Sequence, residues 1–197
     1  MIGIVIVAHG NLACEYLAAM EHVVGQQAGV RAISIAAEEN RADKQDEICN
    51  AADGVDKGDG VIIVTDMFGG SPSNLSLRAC NLQNRRILYG ANLPMLIKLA
   101  KSRHKTVPDA VTAAMVGGAE CVAEACLDAE TERLLFVSSS AALWLGEKGL
   151  KLDAETPPDQ NPEARGDYAY AKVVAEEAML KFNTERDLPV SILRPAV

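Results

Sequence analysis

Apolar residues fill the first strand-length segment of the chain, residues 2–8, and the segment ends in His9 and Gly10. A continuous apolar run of this length is typical of a parallel strand that is covered on both faces. Beyond it, apolar residues recur at helical spacing up to Gly25, a residue suited to ending a helix: Leu12, Tyr16, Ala19, Met20 and Val23. The sequence therefore predicts a buried strand that brings one imidazole to an edge of a sheet, followed by a helix.

Strand and helix patterns continue to alternate as far as about residue 125. Further strands are predicted at residues 30–35, 60–65 and 86–89, and helices at residues 41–52, 72–80, 93–101 and 108–125. Asn40 is placed to cap the second helix and Ser71 the third, while Gly117 and Gly118 are expected to interrupt the last one. Repeated strand–helix units with short links predict an α/β fold, an open doubly wound and mostly parallel sheet in the order 2-1-3-4 with helices on both faces.

The pattern changes after about residue 126. A strand is predicted at residues 133–138, a helix at residues 168–182 and a last strand at residues 190–193, and residues 139–167 are rich in Pro, Gly and charged residues. A long irregular stretch inside a compact domain is uncommon, so it marks a seam. We therefore expect two domains, residues 1–126 and residues 127–197, the second being a C-terminal strand–helix–strand fragment.

Composition narrows the classes of function. The net charge of the 197-residue chain is -8, which disfavours a nucleic-acid partner because backbone binding needs a concentrated basic patch. The apolar runs look too short to span a bilayer and no leader pattern opens the chain, so a cytoplasmic location is expected. The five cysteines show no C-x-x-C spacing, which indicates reduced thiols and no metal site.

Two of the predicted strands end in residues with useful chemistry, His9 after the first and Asp66 after the third. In the order 2-1-3-4 these strands are neighbours, so both side chains should face the crevice at their carboxyl ends. Neutral imidazole is a nucleophile when one ring nitrogen is free and an acceptor such as a carboxylate holds the other. The pair predicts that His9 carries a phosphoryl group. Each residue also has a simpler explanation, since polar residues commonly follow strands and an Asp before a turn can cap a helix.

A carried phosphate needs hydrogen-bond donors that are already in place. The turn formed by Gly69, Gly70 and Ser71 offers backbone N–H groups, a hydroxyl and the start of a helix, and Gly10 offers a second such position. The two remaining histidines, His22 and His104, are expected at the surface without a role. The candidate site therefore consists of His9, Asp66 and Ser71 as catalytic residues and Gly10, Gly69, Gly70 and Ser71 as phosphate ligands.

Three blocks of sequence carry a resemblance to a known family: GIVIVAHG at residues 3–10, TDMFGGSPSN at residues 65–74 and GANLPML at residues 90–96. Together they resemble the mannose-type enzyme IIA of the bacterial sugar phosphotransferase system over about residues 1–125. The resemblance implies that His9 accepts phosphate from the histidine-containing phosphocarrier protein, that Asp66 orients it and that Ser71 helps hold it. It also implies a homodimer that exchanges a C-terminal strand, with no cofactor and contact with the membrane only through a transporter complex.

The recipient of the phosphate is left open by the resemblance. Such enzymes pass the group to an enzyme IIB, and no IIB segment is recognised here, so a separate IIB subunit and a regulatory target are both possible acceptors. The family's exchanged strand should follow the helix that ends near residue 125, where this chain has residues 134–138 instead. That strand is expected either to take the same place or to leave the dimer unformed.

The second half resembles a different family. The blocks LFVSSSA at residues 135–141, YAYAKVVAE at residues 168–176 and LPVSILRP at residues 188–195 resemble NAD-dependent sugar-nucleotide epimerases and dehydratases of the extended short-chain dehydrogenase family. The resemblance implies an acid–base Tyr168, a Lys172 that lowers its pKa and a substrate-polarising Ser140. The Gly-rich turn that holds the cofactor pyrophosphate is not found in the sequence. We therefore expect a vestigial fragment that does not bind NAD by itself.

Overall fold

The computed structural model of the chain describes residues 1–80, 84–143 and 152–195. They divide into two compact units, Met1–Ala114 and Met115–Val197. The first unit contains four strands and the helices that alternate with them: β1 (Gly3–His9), α1 (Leu12–Val24), β2 (Val30–Ile35), α2 (Arg41–Val55), β3 (Val61–Thr65), α3 (Ser71–Ser76), β4 (Arg85–Tyr89), α4 (Leu93–Ser102) and the start of α5 (Val107–Asp128).

The four strands form one parallel sheet in the order β2-β1-β3-β4. This confirms the predicted α/β fold and strand order. In the pairing between β1 and β3, Gly3 lies opposite Val61 and Val7 lies opposite Thr65. The two strands therefore end at the same edge of the sheet, and the residues that follow Thr65 lie beside His9.

Both faces of the two central strands are buried, as their apolar sequences require. Val5, Val7 and Ile63 pack on one face against Ile48 of α2 and Leu75 of α3. The alternate residues of the same strands are also fully buried, and α1 packs against β1, β2 and α4. Because both faces of the sheet are covered, polar groups of these strands can reach solvent or a binding partner at the strand ends.

Two local expectations need correcting. Ser71 is not the cap of α3: it is the first residue of that helix, Gly70 occupies the cap position and no side chain caps the helix. The helix α5 runs without a break through Gly117 and Gly118, which were expected to interrupt it. Glycine lowers helix stability by about 1 kcal/mol relative to alanine, so packing of the rest of α5 outweighs the cost of the pair.

The second unit holds the end of α5, β5 (Leu134–Val137), α6 (Asp167–Arg186) and β6 (Val190–Leu193). The strands β5 and β6 form a parallel pair of their own. A small apolar cluster joins them to the helices, formed by Ala123, Met179 and Leu188 with Leu134, Phe136, Phe182 and Val190 packed against it. Glu176 is completely buried and accepts hydrogen bonds from the Arg194 guanidinium at 2.8 to 3.1 Å. The buried carboxylate of Glu176 is therefore compensated by the guanidinium of Arg194.

The elements after residue 105 bear on two further expectations. Within the chain, β5 does not take a place beside β4, because it pairs with β6 in the separate sheet. In the described part of the chain α5 is long and apolar enough to cross a membrane, so the expectation that every apolar stretch is too short was wrong for this helix. Core helices of soluble proteins have the same length and composition, so the property assigns α5 no membrane role.

Candidate functional site

His9 and Asp66 meet at the carboxyl ends of β1 and β3, as predicted. The distance between His9 Nδ1 and Asp66 Oδ2 is 2.8 Å, and the same carboxylate oxygen accepts a hydrogen bond from the His9 backbone N–H at 3.0 Å. One carboxylate oxygen thus binds both the ring and the backbone of the histidine. This double contact fixes the position of the ring relative to the sheet.

The environment of Asp66 keeps its carboxylate charged. Burial by itself would raise its pKa, but the hydrogen bonds from the backbone and ring of His9, together with the Met67 N–H, hold the pKa below the ordinary value. Because the folded-state pKa is lowered, the stabilising contribution of Asp66 is present above the unfolded-state pKa and is lost as pH falls through the folded one. At neutral pH the group is an anionic acceptor beside the imidazole.

The carboxylate determines which nitrogen of a neutral His9 ring carries the proton. An ionised carboxylate can only accept a hydrogen bond, so we assign the proton of a neutral His9 ring to Nδ1. The unprotonated nitrogen is then Nε2, which makes no hydrogen bond to the described residues. The His9 side chain is 47% exposed, whereas that of Asp66 is 13% exposed. An unprotonated nitrogen on a half-exposed ring, with a shielded carboxylate behind it, is chemically suited to act as a nucleophile.

The loop between β3 and α3 lies against the imidazole. A Cβ added to Gly70 would be 3.1 Å from His9 Cε1, so this glycine packs directly on the ring. The preceding Gly69 has a φ of 76°, which is a backbone conformation that favours glycine. Side chains of α3 fix the loop: Ser73 Oγ donates to the Gly70 carbonyl and Asn74 Nδ2 donates to that of Gly69, each at 3.1 Å.

The predicted phosphate ligands differ in what they offer. In the described part of the chain, the backbone N–H groups of Gly69, Gly70 and Ser71 have no protein acceptor, and Ser71 is exposed. The N–H of Gly10 instead donates to the Ile35 carbonyl at 2.9 Å, so it is already engaged in this structure. The contribution of Gly10 is its φ of 52°, which turns the chain from β1 towards α1. The turn at residues 69–71 therefore has backbone N–H donors without a protein acceptor among the described residues, whereas the N–H of Gly10 is engaged.

One residue near the site was not singled out from the sequence. The Tyr16 hydroxyl of α1 donates to the Ala91 carbonyl at 2.8 Å, and the Ala91 N–H donates to the Thr65 carbonyl at 3.0 Å. These bonds attach the loop before α4 to the end of β3, one residue before Asp66. Residues 16 and 91 are far apart in sequence, and no local pattern signals that they meet.

An apolar contact supports the same edge of the sheet. Phe68 and Tyr89 form an edge-to-face ring pair with centroids 5.0 Å apart. More than half of the surface of Met67 and Phe68 is exposed. The loop that carries Asp66 is therefore held at Phe68 while it presents apolar surface beside the imidazole.

In the second unit, two of the three dehydrogenase-like residues come together. Lys172 Nζ lies 5.7 Å from the centre of the Tyr168 ring, one turn away on α6, and donates to the Val137 carbonyl at 3.3 Å. Ser140 lies in a short 3₁₀ turn after β5, and its N–H donates to the Pro195 carbonyl. Among the described residues no group of three His, Cys, Asp or Glu side chains could hold a metal ion.

Two family models match this chain, one over its N-terminal part and one over its C-terminal part. Residues 3–116 match the family model of the PTS system fructose IIA component, and residues 87–197 match that of the NAD dependent epimerase/dehydratase family. The chain belongs to both families. The two resemblances drawn from the motif blocks are therefore confirmed, and the first match supports a phosphocarrier role within the phosphotransferase system.

Solved structures agree with the first of these families. The phosphotransferase system component EIIA from Streptococcus agalactiae is 29% identical with a TM-score of 0.55, and the match covers 61% of this chain and 94% of that one. The PTS IIA protein associated with the fucose utilization operon of Streptococcus pneumoniae is 33% identical with a TM-score of 0.52, covering 57% and 87%. The mannose/sorbose specific IIA subunit from Enterococcus faecalis, 24% identical with a TM-score of 0.56 and coverage of 61% and 91%, shares the fold.

Proposed function

We propose that His9 accepts a phosphoryl group from the histidine-containing phosphocarrier protein and passes it to an enzyme IIB. The observation that supports this proposal is the 2.8 Å contact between His9 Nδ1 and Asp66 at the carboxyl ends of adjacent parallel strands. Family membership supports a role as a phosphotransferase component, and this contact favours His9 as the residue that carries the phosphoryl group. His22 and His104 lie on exposed surface and have no such carboxylate partner among the described residues.

With the proton of the neutral His9 ring on Nδ1, Nε2 is the nitrogen that attacks in the proposed transfer step. Nε2 of His9 attacks the phosphorus atom of the donor's phosphohistidine, an N–P bond forms, and the donor's N–P bond breaks with its electron pair returning to the donor imidazole. The proton on Nδ1 stays in place. As the His9 ring becomes positively charged, the ionised Asp66 stabilises it through the existing hydrogen bond. Transfer to the IIB acceptor is the same reaction with His9 as the donor.

The phosphoryl oxygens would be held by the turn at residues 69–71. Its N–H groups have no protein acceptor among the described residues and lie next to a ring that Gly70 already contacts. The Ser71 hydroxyl can donate another hydrogen bond. Because α3 has six residues, we assign the binding to individual N–H groups and the hydroxyl, not to a long helix dipole.

Intact-mass measurement tests the site assignment. The full chain is incubated with phosphoenolpyruvate, the general kinase enzyme of the system and the histidine phosphocarrier, alongside the variants His9→Ala, His22→Ala and Asp66→Asn. We expect one acid-labile phosphoryl group on the wild type and on His22→Ala, and none on His9→Ala. Asp66→Asn should be phosphorylated more slowly, by roughly tenfold or more, because a neutral amide no longer stabilises the charged ring.

Two results would contradict the assignment. Normal phosphate uptake by His9→Ala would place the group on another residue, and an unchanged rate in Asp66→Asn would remove the role of the carboxylate. Circular dichroism of each variant shows whether it is folded, so that a loss of uptake can be attributed to the site.

A regulatory phosphoprotein is the second candidate for the same site. The observation in its favour is that residues 87–197 match the NAD dependent epimerase/dehydratase family and not a IIB domain. The two candidates differ in the acceptor: phosphorylated chain mixed with a purified mannose-type IIB should lose its added mass within minutes if it is a transport component. If the mass persists while phosphorylation alters binding of another protein, the regulatory function is supported.

Four further expectations remain part of the proposal. We propose a cytoplasmic homodimer that reaches the membrane only through a transporter complex, as the resemblance to enzyme IIA implies. We propose no oxidoreduction by the second unit, although Tyr168 and Lys172 are adjacent, because the sequence contains no G-x-x-G-x-x-G turn to hold the cofactor pyrophosphate.

A further inference from the structure

The methionines of the chain differ sharply in their exposure to solvent. Four of the six are buried: Met20, Met95, Met115 and Met179. Met1 is 66% exposed and Met67 is 53% exposed. A dissolved oxidant must reach the side chain in order to oxidise its sulfur, so Met1 and Met67 are the two accessible targets.

The Met67 side chain lies against the same turn as the His9 ring. The position that a Cβ on Gly70 would occupy is 3.0 Å from Met67 Cγ, 3.5 Å from Met67 Sδ and 3.1 Å from His9 Cε1. The Met67 N–H also donates to Asp66 Oδ1 at 2.9 Å, and the other oxygen of that carboxylate holds the His9 ring. The sulfur is therefore placed next to the imidazole and to the backbone of Gly70.

Oxidation of Met67 would put a polar acceptor where the side chain is now apolar. Hydrogen peroxide transfers one oxygen atom to a lone pair of the sulfur: an S–O bond forms and the O–O bond breaks. The remaining hydroxide takes up the proton of the transferred hydroxyl group and leaves as water, so the sulfur is oxidised to a sulfoxide while the peroxide is reduced. The product is a polar group whose oxygen accepts hydrogen bonds and donates none.

Donors for that oxygen lie in the adjacent turn. The backbone N–H groups of Gly69, Gly70 and Ser71 have no protein acceptor among the described residues, and they are the groups proposed above to hold the phosphoryl oxygens. A sulfoxide on Met67 would compete with the phosphoryl group for them. Because it is attached to the same loop, this competitor has a high effective concentration at the site.

We infer that Met67 is an oxidation site, at which formation of the sulfoxide slows phosphorylation of His9 and reduction of the sulfoxide restores it. This inference rests on the proposed phosphoryl transfer at His9. Met1 is an internal control, because it is also accessible but precedes β1, whose seven residues separate it from the ring.

Oxidation of the full chain followed by the phosphorylation assay tests the inference. The wild type, Met67→Leu and Met20→Leu are treated with hydrogen peroxide, freed of it and incubated with dithiothreitol, and peptide mass mapping locates the added oxygen atoms. Leucine has a volume similar to that of methionine and no sulfur. The rate of phosphate uptake is then measured by intact mass, and each oxidised sample is compared with the unoxidised form of the same variant.

We expect oxygen on Met67 and on Met1. Phosphorylation of the oxidised wild type should be slower by roughly tenfold, the usual effect of losing one hydrogen bond to a charged group. Met20→Leu should be slowed as the wild type is. Oxidised Met67→Leu, which still carries the sulfoxide of Met1, should keep the rate of its unoxidised form.

Reversal of the effect separates methionine chemistry from thiol chemistry. Cys14 and Cys121 are exposed and can also be oxidised. Dithiothreitol reduces disulfides and sulfenic acids, whereas a methionine sulfoxide is reduced by the two methionine sulfoxide reductases, one for each epimer. The rate should therefore stay low after dithiothreitol alone and recover after treatment with both reductases.

Three outcomes would overturn the inference. They are the absence of oxygen on Met67 under conditions that oxidise Met1, an unchanged rate after complete oxidation of Met67, and equal slowing of Met67→Leu and the wild type. The third would assign the effect to another residue. Each of these leaves phosphorylation of the unoxidised chain intact, whereas an unoxidised chain that takes up no phosphate would contradict the proposed function and this inference with it.

Discussion

At the scale of single residues, Gly70 limits the space around the His9 ring. Its φ of -73° is accessible to any residue, so alanine would fit the backbone. The new Cβ would nevertheless lie 3.1 Å from His9 Cε1 and 3.0 Å from Met67 Cγ, which is closer than ordinary van der Waals contact. The ring or the loop must therefore move by a few tenths of an ångström.

We predict that Gly70→Ala slows phosphorylation of His9 without unfolding the chain. Small displacements of reacting groups lower rates steeply, so a decrease of roughly three- to tenfold is expected. The free energy of unfolding should change by less than about 1 kcal/mol, because the site is at the surface. The measurements are the rate of mass increase and a urea unfolding curve.

Gly54→Ala is the matched control for that prediction. Gly54 lies in α2, and outside its chain neighbours and the adjacent backbone of that helix no atom lies within 4 Å of the added Cβ. Alanine should therefore stabilise the helix by roughly 0.5 to 1 kcal/mol and leave the rate unchanged. Equal phosphorylation rates in wild type and Gly70→Ala would show that the contact with the ring has no kinetic role.

The sequence could predict some residues of the site and not others. His9 and Asp66 each follow a strongly apolar strand, so the edge at which they lie follows from local pattern. Tyr16 carries no such signal, because its bond to Ala91 joins segments that are adjacent only once the helices have packed. The engaged N–H of Gly10 depends likewise on the pairing of β1 with β2.

At the scale of elements, the side chains of Asn40 and Asn92 each cap the start of a helix, α2 and α4 respectively. Asn40 accepts a hydrogen bond from the Ala42 N–H at the start of α2, and Asn92 accepts one from the Met95 N–H at the start of α4. Asn92 also donates to the Gly90 carbonyl, so it shapes the loop that follows β4. The loop at Asn92 is attached to β3 through Ala91, whereas Asn40 follows β2 at the border of the sheet.

We predict that Asn92→Ala and Asn40→Ala lower the free energy of unfolding by similar amounts, about 1 kcal/mol each. We expect Asn92→Ala also to slow phosphoryl exchange with its protein partners, because the loop beside the site loses a hydrogen bond. The measurements are urea unfolding and the rates of phosphate gain and loss by mass. If Asn40→Ala slowed exchange as much as Asn92→Ala, the effect would come from general destabilisation and not from this loop.

The elements could be predicted from the sequence except where helix packing or long-range strand pairing decides the structure. The apolar runs located β2 and β6 at their observed bounds because strand patterns are local. The break expected at Gly117 and Gly118 did not occur, since a propensity cost of about 1 kcal/mol per glycine is small against burial of the neighbouring turns. The pairing of β5 with β6 joins residues more than fifty positions apart, which no local pattern encodes.

At the scale of the whole molecule, the boundary between the two units falls inside α5. The first turns of α5 bury Val107, Ala110, Val111 and Ala114, while the end of the helix packs Ala123 and Cys126 in the small cluster with Met179 and Leu188. The first unit holds its own four-stranded sheet and the His9 site. Nothing in the described sheet of that unit is contributed by β5 or β6.

We predict that a fragment of residues 1–126 accepts phosphate on His9 at a rate close to that of the full chain. All the residues that form the site and its sheet remain, so intact mass after incubation with the phosphocarrier should show one added group. The fragment exposes the apolar side of α5 that faced Met179 and Leu188, and we therefore expect it to self-associate more than a fragment of residues 1–114 in sedimentation experiments. Both fragments carrying His9→Ala are the controls. A folded 1–126 fragment that takes up no phosphate would mean that the epimerase-like unit is required for the activity. The two units would then have to be regarded as functionally dependent on each other.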